Sequence, residues 1–117
     1  AGFVEALARR NAILRDWLLL LERYPVILMP SSWQLPFAVD YDQQGDAANG
    51  RLIAAQAPLT AVSLLGLPGL SIPTGTSGGL PTGVQLVAGR FGEERLFASA
   101  EAIEAHCPMG TPIDPRP

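Results

Sequence analysis

The sequence predicts an α/β fold in which a small mixed sheet of about three strands is flanked by helices. Two segments, one near each end of the chain, repeat apolar residues at three- and four-residue spacing, which is the period of a helix. Three short apolar runs bounded by proline or glycine have the length of strands. The composition, 48% hydrophobic and 16% charged, excludes disorder and indicates a packed core.

The first helix is predicted over residues 2–23. Four consecutive leucines, at positions 18–21, indicate that its end is buried on more than one side, and Pro25 ends it. The apolar stripe of this helix consists of Val4, Leu7, Leu14, Trp17, Leu18 and Leu21.

The apolar run at residues 26–29, closed by Pro30, predicts a strand buried on both faces, as in a parallel sheet between helices. Residues 30–57 are predicted to be a long irregular stretch, because Pro36, Gly45 and Gly50 interrupt it. A loop of this length either lines or covers a site, or wraps over a neighbouring layer. The sequence does not separate these alternatives.

A short helix is predicted from Pro58 to Gly66, with proline in its first turn and glycine after its last. Strands at 69–73 and 83–88 then form a hairpin through the turn-rich residues between them. A last helix runs from about 93 to 107, and two glutamates suit the dipole at its start.

The chain is predicted to be a single segment, 1–117, whose last residues, 108–117, form an extended proline-rich tail. A sheet of three strands is thin for an independent α/β domain, and its edges stay exposed unless further protein covers them. So apolar a composition on so small a body indicates an interface with a partner.

The charge pattern excludes several classes of partner. The net charge is −3 and the basic residues are scattered, so neither nucleic acid nor a membrane surface is indicated as a partner. No apolar run approaches the roughly 18 residues of a membrane span, and no signal-peptide pattern opens the sequence. Cys107 is the only cysteine and cannot form an intrachain disulfide, which agrees with a cytoplasmic location.

No residue of this chain is assigned a catalytic role. The glycine-rich stretch from Thr74 to Gly79 lacks the lysine of a phosphate-binding loop and is interpreted as a hairpin turn. Ser71 has no base to activate it, and His106 stands alone at a helix end, where a structural role is favoured. No metal site and no cofactor are indicated, since the acidic residues of the long loop lack a closing glutamate; these are Asp40, Asp42 and Asp46.

Ser31 and Ser32 are the best candidates for contact with a ligand. They follow a buried strand directly, and in open α/β sheets the carboxyl ends of strands face the ligand crevice. We expect them to line a pocket. A catalytic role is not expected, because the chain contains no lysine that could act as the base.

Two consecutive motifs resemble the C-terminal region of the amidase signature family. The sequence L-L-G-L-P-G-L-S-I-P-T-G at Leu64–Gly75 is similar to the family's N-L-x-G-L-P-A-x-S-x-P-x-G. The sequence G-L-P-T-G-V-Q-L-V-A-G at Gly79–Gly89 is similar to its G-L-P-x-G-x-Q-L-x-G. Ser63 and Gly69 are mild departures, where the family often has asparagine and alanine.

The resemblance implies an α/β/α sandwich that hydrolyses carboxylic amides with a serine, a second serine on a cis peptide and a lysine. In the family these residues belong to the larger N-terminal part, which would be the missing partner of this chain. This region completes the central sheet and supplies one wall of the acyl pocket. By that analogy the pocket candidates are Ser31, Ser32, Trp33 and Phe37. For Trp33 and Phe37, covering the neighbouring core is an equally good interpretation.

Three hypotheses follow from the sequence. The leading one is a C-terminal portion of an amidase that is inactive by itself. The second is a non-catalytic module that docks on a partner protein, and the third is a chain that self-associates as a homo-oligomer through surface normally covered by the missing part.

Overall fold

A computed structural model describes residues 2–107 and places a three-stranded sheet between helices. The predicted class, an α/β arrangement of about three strands flanked by helices, is confirmed. The predicted tail, 108–117, lies outside the described residues. In chain order the elements are α1 (Phe3–Arg23), β1 (Val26–Pro30), a 3-10 helix (Tyr41–Gln44), α2 (Asp46–Ala55), α3 (Ala57–Leu65), β2 (Gly69–Ser77), β3 (Leu80–Ala88) and α4 (Glu93–Glu104).

The sheet has the strand order β1-β3-β2, and both pairings are antiparallel. The expectation that the first strand lies in a parallel sheet and is buried on both faces is therefore wrong. β1 and β2 do run in the same direction, as a helical crossover allows, but β3 returns between them. Since β1 has a neighbour on one side only, Leu28 at its centre is 58% exposed.

Two cores lie on opposite faces of the sheet. On one face Val87 of β3 packs with buried residues of α1 and α3, among them Leu14 and Val62. On the other face Leu86 packs with Ile72 and with buried residues of α4. β3 is buried on both faces because it lies between its two partners and between the two helical layers.

The long stretch predicted to be irregular contains two helices, the 3-10 helix and α2. Gly50, which the sequence predicts to be a breaker, lies inside α2. A glycine in a helix interior costs about 1 kcal/mol relative to alanine, which alanine neighbours and packing offset. Ala48 and Ala55 are the buried residues of this helix.

The hairpin is longer and tighter than predicted. β2 and β3 extend to Ser77 and Leu80, so only Gly78 and Gly79 remain as the turn. Both have positive φ, 58° and 80°, which is the combination that a type I′ turn requires and that glycine adopts without strain. Glycine at both turn positions therefore fixes the register of the two strands.

The first helix is confirmed, but its predicted extra burial is not observed. Leu14 and Leu21 are buried, whereas Leu19 and Leu20 are 54% and 45% exposed. The α1 side chains that face the sheet are covered, and those that face away have no neighbour among the described residues. Within residues 2–107, no helix is both long and apolar enough to cross a membrane.

Candidate functional site

The four sequence-predicted site residues lie on the wall of one cavity. Ser31, Ser32, Trp33 and Phe37 follow the carboxyl end of β1, as expected for a loop that lines a crevice. The cavity has a volume of about 660 Å³. The structure therefore brings the predicted residues together around one space.

Two other elements complete this wall. β3 contributes the residues nearest the hairpin turn, Pro81 to Gly83, and the α2 region contributes Leu52 and Gln56. The sequence interpretation missed these positions, because α2 was not predicted and because strand pairing brings β3 beside the end of β1. The turn-forming Pro81 and Gly83 gave no signal for ligand contact.

Backbone hydrogen bonds hold the loop after β1 in place. Trp33 donates its N–H to the carbonyl oxygen of Ala55 at 2.9 Å, which ties the loop to the end of α2. The N–H of Gln34 donates to the hydroxyl oxygen of Ser32 at 3.2 Å, a local turn that serine favours. The Ser32 hydroxyl thus has a structural partner.

The two aromatic side chains have different environments. Phe37 stacks on Tyr41 with ring centroids 4.8 Å apart, and Arg51 of α2 donates to the Tyr41 hydroxyl at 2.7 Å. Trp33 is 64% exposed. The alternative in which Trp33 covers a neighbouring core is therefore not realised among residues 2–107, whereas Phe37 packs in part against its own segment.

The cavity can bind but has no group that transfers protons. Its polar side chains are hydroxyls and carboxamides, those of Ser31, Ser32, Gln34, Gln56 and Thr82. None of the lining residues is ionisable, so among the described residues no general base stands beside a serine of this wall. The wall can therefore hold a substrate by apolar contact and neutral hydrogen bonds.

The remaining candidate groups stand apart from this cavity. The Nδ1 atom of His106 lies 2.7 Å from the carbonyl oxygen of Ala102, one turn back in the chain, which matches the structural role expected for it. Ser71 lies in β2, and Gly78 and Gly79 form the hairpin turn. In the part of the chain that the structure describes, no three His, Cys, Asp or Glu side chains are grouped as metal ligands.

Comparisons with known proteins agree on one family. The family model described as Amidase matches residues 1–97. The chain is 36% identical over 104 residues to an indoleacetamide hydrolase of Bradyrhizobium japonicum, a match that covers 88% of this chain and 22% of the relative. It is 34% identical over 105 residues to a glutamyl-tRNA(Gln) amidotransferase subunit of Streptococcus gordonii, covering 90% of this chain and 21% of the relative.

The same relationship holds for the fold. The crystal structure of the glutamyl-tRNA(Gln) amidotransferase subunit from Thermotoga maritima superimposes with a TM-score of 0.79 at 31% identity. The match covers 93% of this chain and 23% of that one. The chain thus spans between a fifth and a quarter of the length of the relatives that it matches.

Proposed function

The chain belongs to the amidase family, as its motifs indicated, and we infer that it is the C-terminal portion of an enzyme that hydrolyses carboxylic amides. In this proposal it completes the central sheet and supplies one wall of the substrate pocket. The remainder of the polypeptide supplies the catalytic serines and lysine. The isolated chain is inactive.

One observation carries the proposal: the predicted pocket residues share a cavity whose lining has no ionisable side chain. Amide hydrolysis by a serine needs a group that accepts the proton of the hydroxyl. This chain contains no lysine at all. A wall that binds and does not react fits a portion of the pocket that faces catalytic groups from elsewhere.

In this arrangement Trp33 provides the largest apolar surface of the wall, because its ring is exposed beside the cavity. Thr82 and Gln56 lie on the same wall and offer neutral hydrogen-bonding groups. Such a surface suits an uncharged substrate with an apolar acyl group and a carboxamide.

The test is a chimera in which this chain replaces the matched segment of the Bradyrhizobium japonicum indoleacetamide hydrolase. We expect the chimera to release ammonia from indoleacetamide and the isolated chain to release none. The host enzyme lacking the segment, also expected to be inactive, is the control. Amide turnover by the pure 117-residue chain would refute the proposal, and so would a folded chimera that does not bind indoleacetamide.

A further inference from the structure

Among the described residues the sheet ends on both sides, because β1 and β2 each pair with β3 alone. In an antiparallel ladder, successive residues alternate between backbone groups that face the partner and groups that face away. Ala88 donates its N–H to the carbonyl oxygen of Pro68 at 3.2 Å, so the backbone groups of Ala88 face β2. By alternation those of Leu86 also face β2, whereas those of Val87 and Gln85 face β1.

This alternation determines which backbone groups of β1 point away from the sheet. Ile27 and Met29 lie opposite the β3 residues that face them, so their N–H and C=O groups are used inside the sheet. Val26 and Leu28 therefore direct their N–H and C=O groups outward. Pro30 also falls at an outward position, where the N–H that proline lacks is not needed.

The opposite edge, at β2, has features that natural sheets use to prevent further pairing. Its outward positions are Gly69, Ser71 and Pro73, and proline removes one donor. The register shifts between Pro73 and Gly75, which is a bulge directly after the proline. Ser71 is exposed and its hydroxyl suits water. β2 therefore has the character of a sheet margin.

The edge of β1 has none of these features. From Val26 to Met29 there is no charge, proline or bulge, and the pairing with β3 is regular. Leu28 exposes 58% of its surface at the centre of the strand. An apolar edge with outward N–H and C=O groups is a template for another strand.

The position of the cavity favours the same edge. The pairing of β1 with β3 ends at Pro30 and Val84. Beyond that point the residues of β3 without a partner in β1, Pro81 to Gly83, line the cavity together with the loop that follows β1. Protein that stands beyond β1 is therefore beside the cavity, whereas protein beyond β2 is separated from it by the hairpin.

We propose that the β1 edge, at Val26 and Leu28, pairs with a strand from the remainder of an amidase-length polypeptide, and that β2 is the outer margin of the completed sheet. The inference rests on the proposed function in one respect, that the rest of an amidase is the occupant. Its extent is ample, since the chain spans only 22% of the indoleacetamide hydrolase that it resembles.

Amide hydrogen exchange in the same chimera tests this edge, with single-residue resolution by mass spectrometry. The Leu28 amide should exchange on the order of 100-fold more slowly in the chimera than in dilute isolated chain, because it gains a partner. The Ser71 amide should exchange equally fast in both. Protection of Ser71 without protection of Leu28 would overturn the proposal, even in a chimera that hydrolyses indoleacetamide.

A pair of proline variants gives an independent reading. Leu28→Pro and Ser71→Pro each remove one outward N–H, and neither N–H serves the three-stranded sheet. Both should leave the thermal midpoint of the isolated chain within a few degrees, whereas only Leu28→Pro should lower that of the chimera. Equal effects of the two variants on the chimera would contradict the proposal. Protection of Leu28 in concentrated isolated chain but not in the chimera would identify a second copy as the occupant and refute it.

Discussion

Gly50 and Gly83 show how one residue type serves opposite needs in this chain. Gly50 lies inside α2, and a Cβ atom added there would meet nothing within 4 Å. A Cβ atom added to Gly83 would lie 2.6 Å from the carbonyl oxygen of Ile72 on the paired strand. Glycine is thus dispensable at the first position and required at the second, where two backbones approach closely beside the cavity.

We therefore expect Gly83→Ala to destabilise the chain by about 1–3 kcal/mol, because the strand must shift to relieve the contact. Gly50→Ala should stabilise it by about 0.5–1 kcal/mol, through the lower entropy of the unfolded chain and better helix propensity. Urea unfolding followed by circular dichroism measures both. An equal effect of the two substitutions would show that the hairpin does not have the spacing described.

Trp33 is the residue whose replacement best tests the cavity wall. In the chimera, Trp33→Ala should raise KM for indoleacetamide about tenfold, equivalent to roughly 1.4 kcal/mol of lost binding, and leave kcat nearly unchanged. Phe91→Ala is the matched control, because Phe91 is 92% exposed and follows the opposite end of β3. A loss of kcat without a change in KM would place Trp33 outside the binding wall.

Helix α1 illustrates the element scale, because one face of it is packed and the other is bare. Leu14 is 6% exposed in the core shared with α3 and β3, whereas Leu19 is 54% exposed on the same helix. Arg10 fastens the contact from the side by donating to the carbonyl oxygen of Leu64 at 2.6 Å. The helix is therefore held by one apolar stripe and one polar contact.

In the isolated chain, Leu14→Ala should cost about 2–4 kcal/mol, since it removes buried methyl groups and leaves a cavity. Leu19→Ala should change the free energy of unfolding by less than about 0.5 kcal/mol, as expected for an exposed site. Thermal and urea unfolding of the two variants provide the comparison. Comparable losses would mean that the bare face of α1 is covered in solution.

Elements with strong local patterns were predictable, and those that depend on distant partners were not. α1 and α3 follow from apolar spacing and from proline and glycine at the ends of α3. α2 was missed because its buried residues are alanines, which give little contrast with their neighbours. The antiparallel placement of β1 depends on β3, which is distant along the chain, and no local signal encodes it.

The same division applies to the cavity. Ser31, Ser32, Trp33 and Phe37 could be predicted because they follow a strand directly, and the structure places them on one wall. Gln56 and Thr82 could not, since they reach that wall only when α2 and β3 are in place. A binding wall built from three distant segments is visible from sequence only through the segment that carries a strand signal.

At the scale of the whole molecule, the chain leaves much apolar surface in contact with solvent. The radius of gyration is 16.8 Å, compared with about 13 Å for a compact domain of 100 residues. Large apolar side chains are exposed on both faces and at one edge of the sheet, including Leu64 at 63% and Phe97 at 59%. Contiguous apolar surface of this kind is unusual on a free monomer.

The isolated chain should therefore self-associate, because pairing of two copies removes the same surface from water that the rest of an amidase would cover. A specific dimer needs a contact of about 1,000 Å² or more, which the exposed leucines and phenylalanines can supply. Light scattering at high micromolar concentration should give a mass of at least twice 12.4 kDa. Joining the chain to the remainder of the indoleacetamide hydrolase should abolish this association. A monodisperse 12.4 kDa species at that concentration would show that the apolar faces are compatible with water, and the case for an absent covering partner would lose its physical basis.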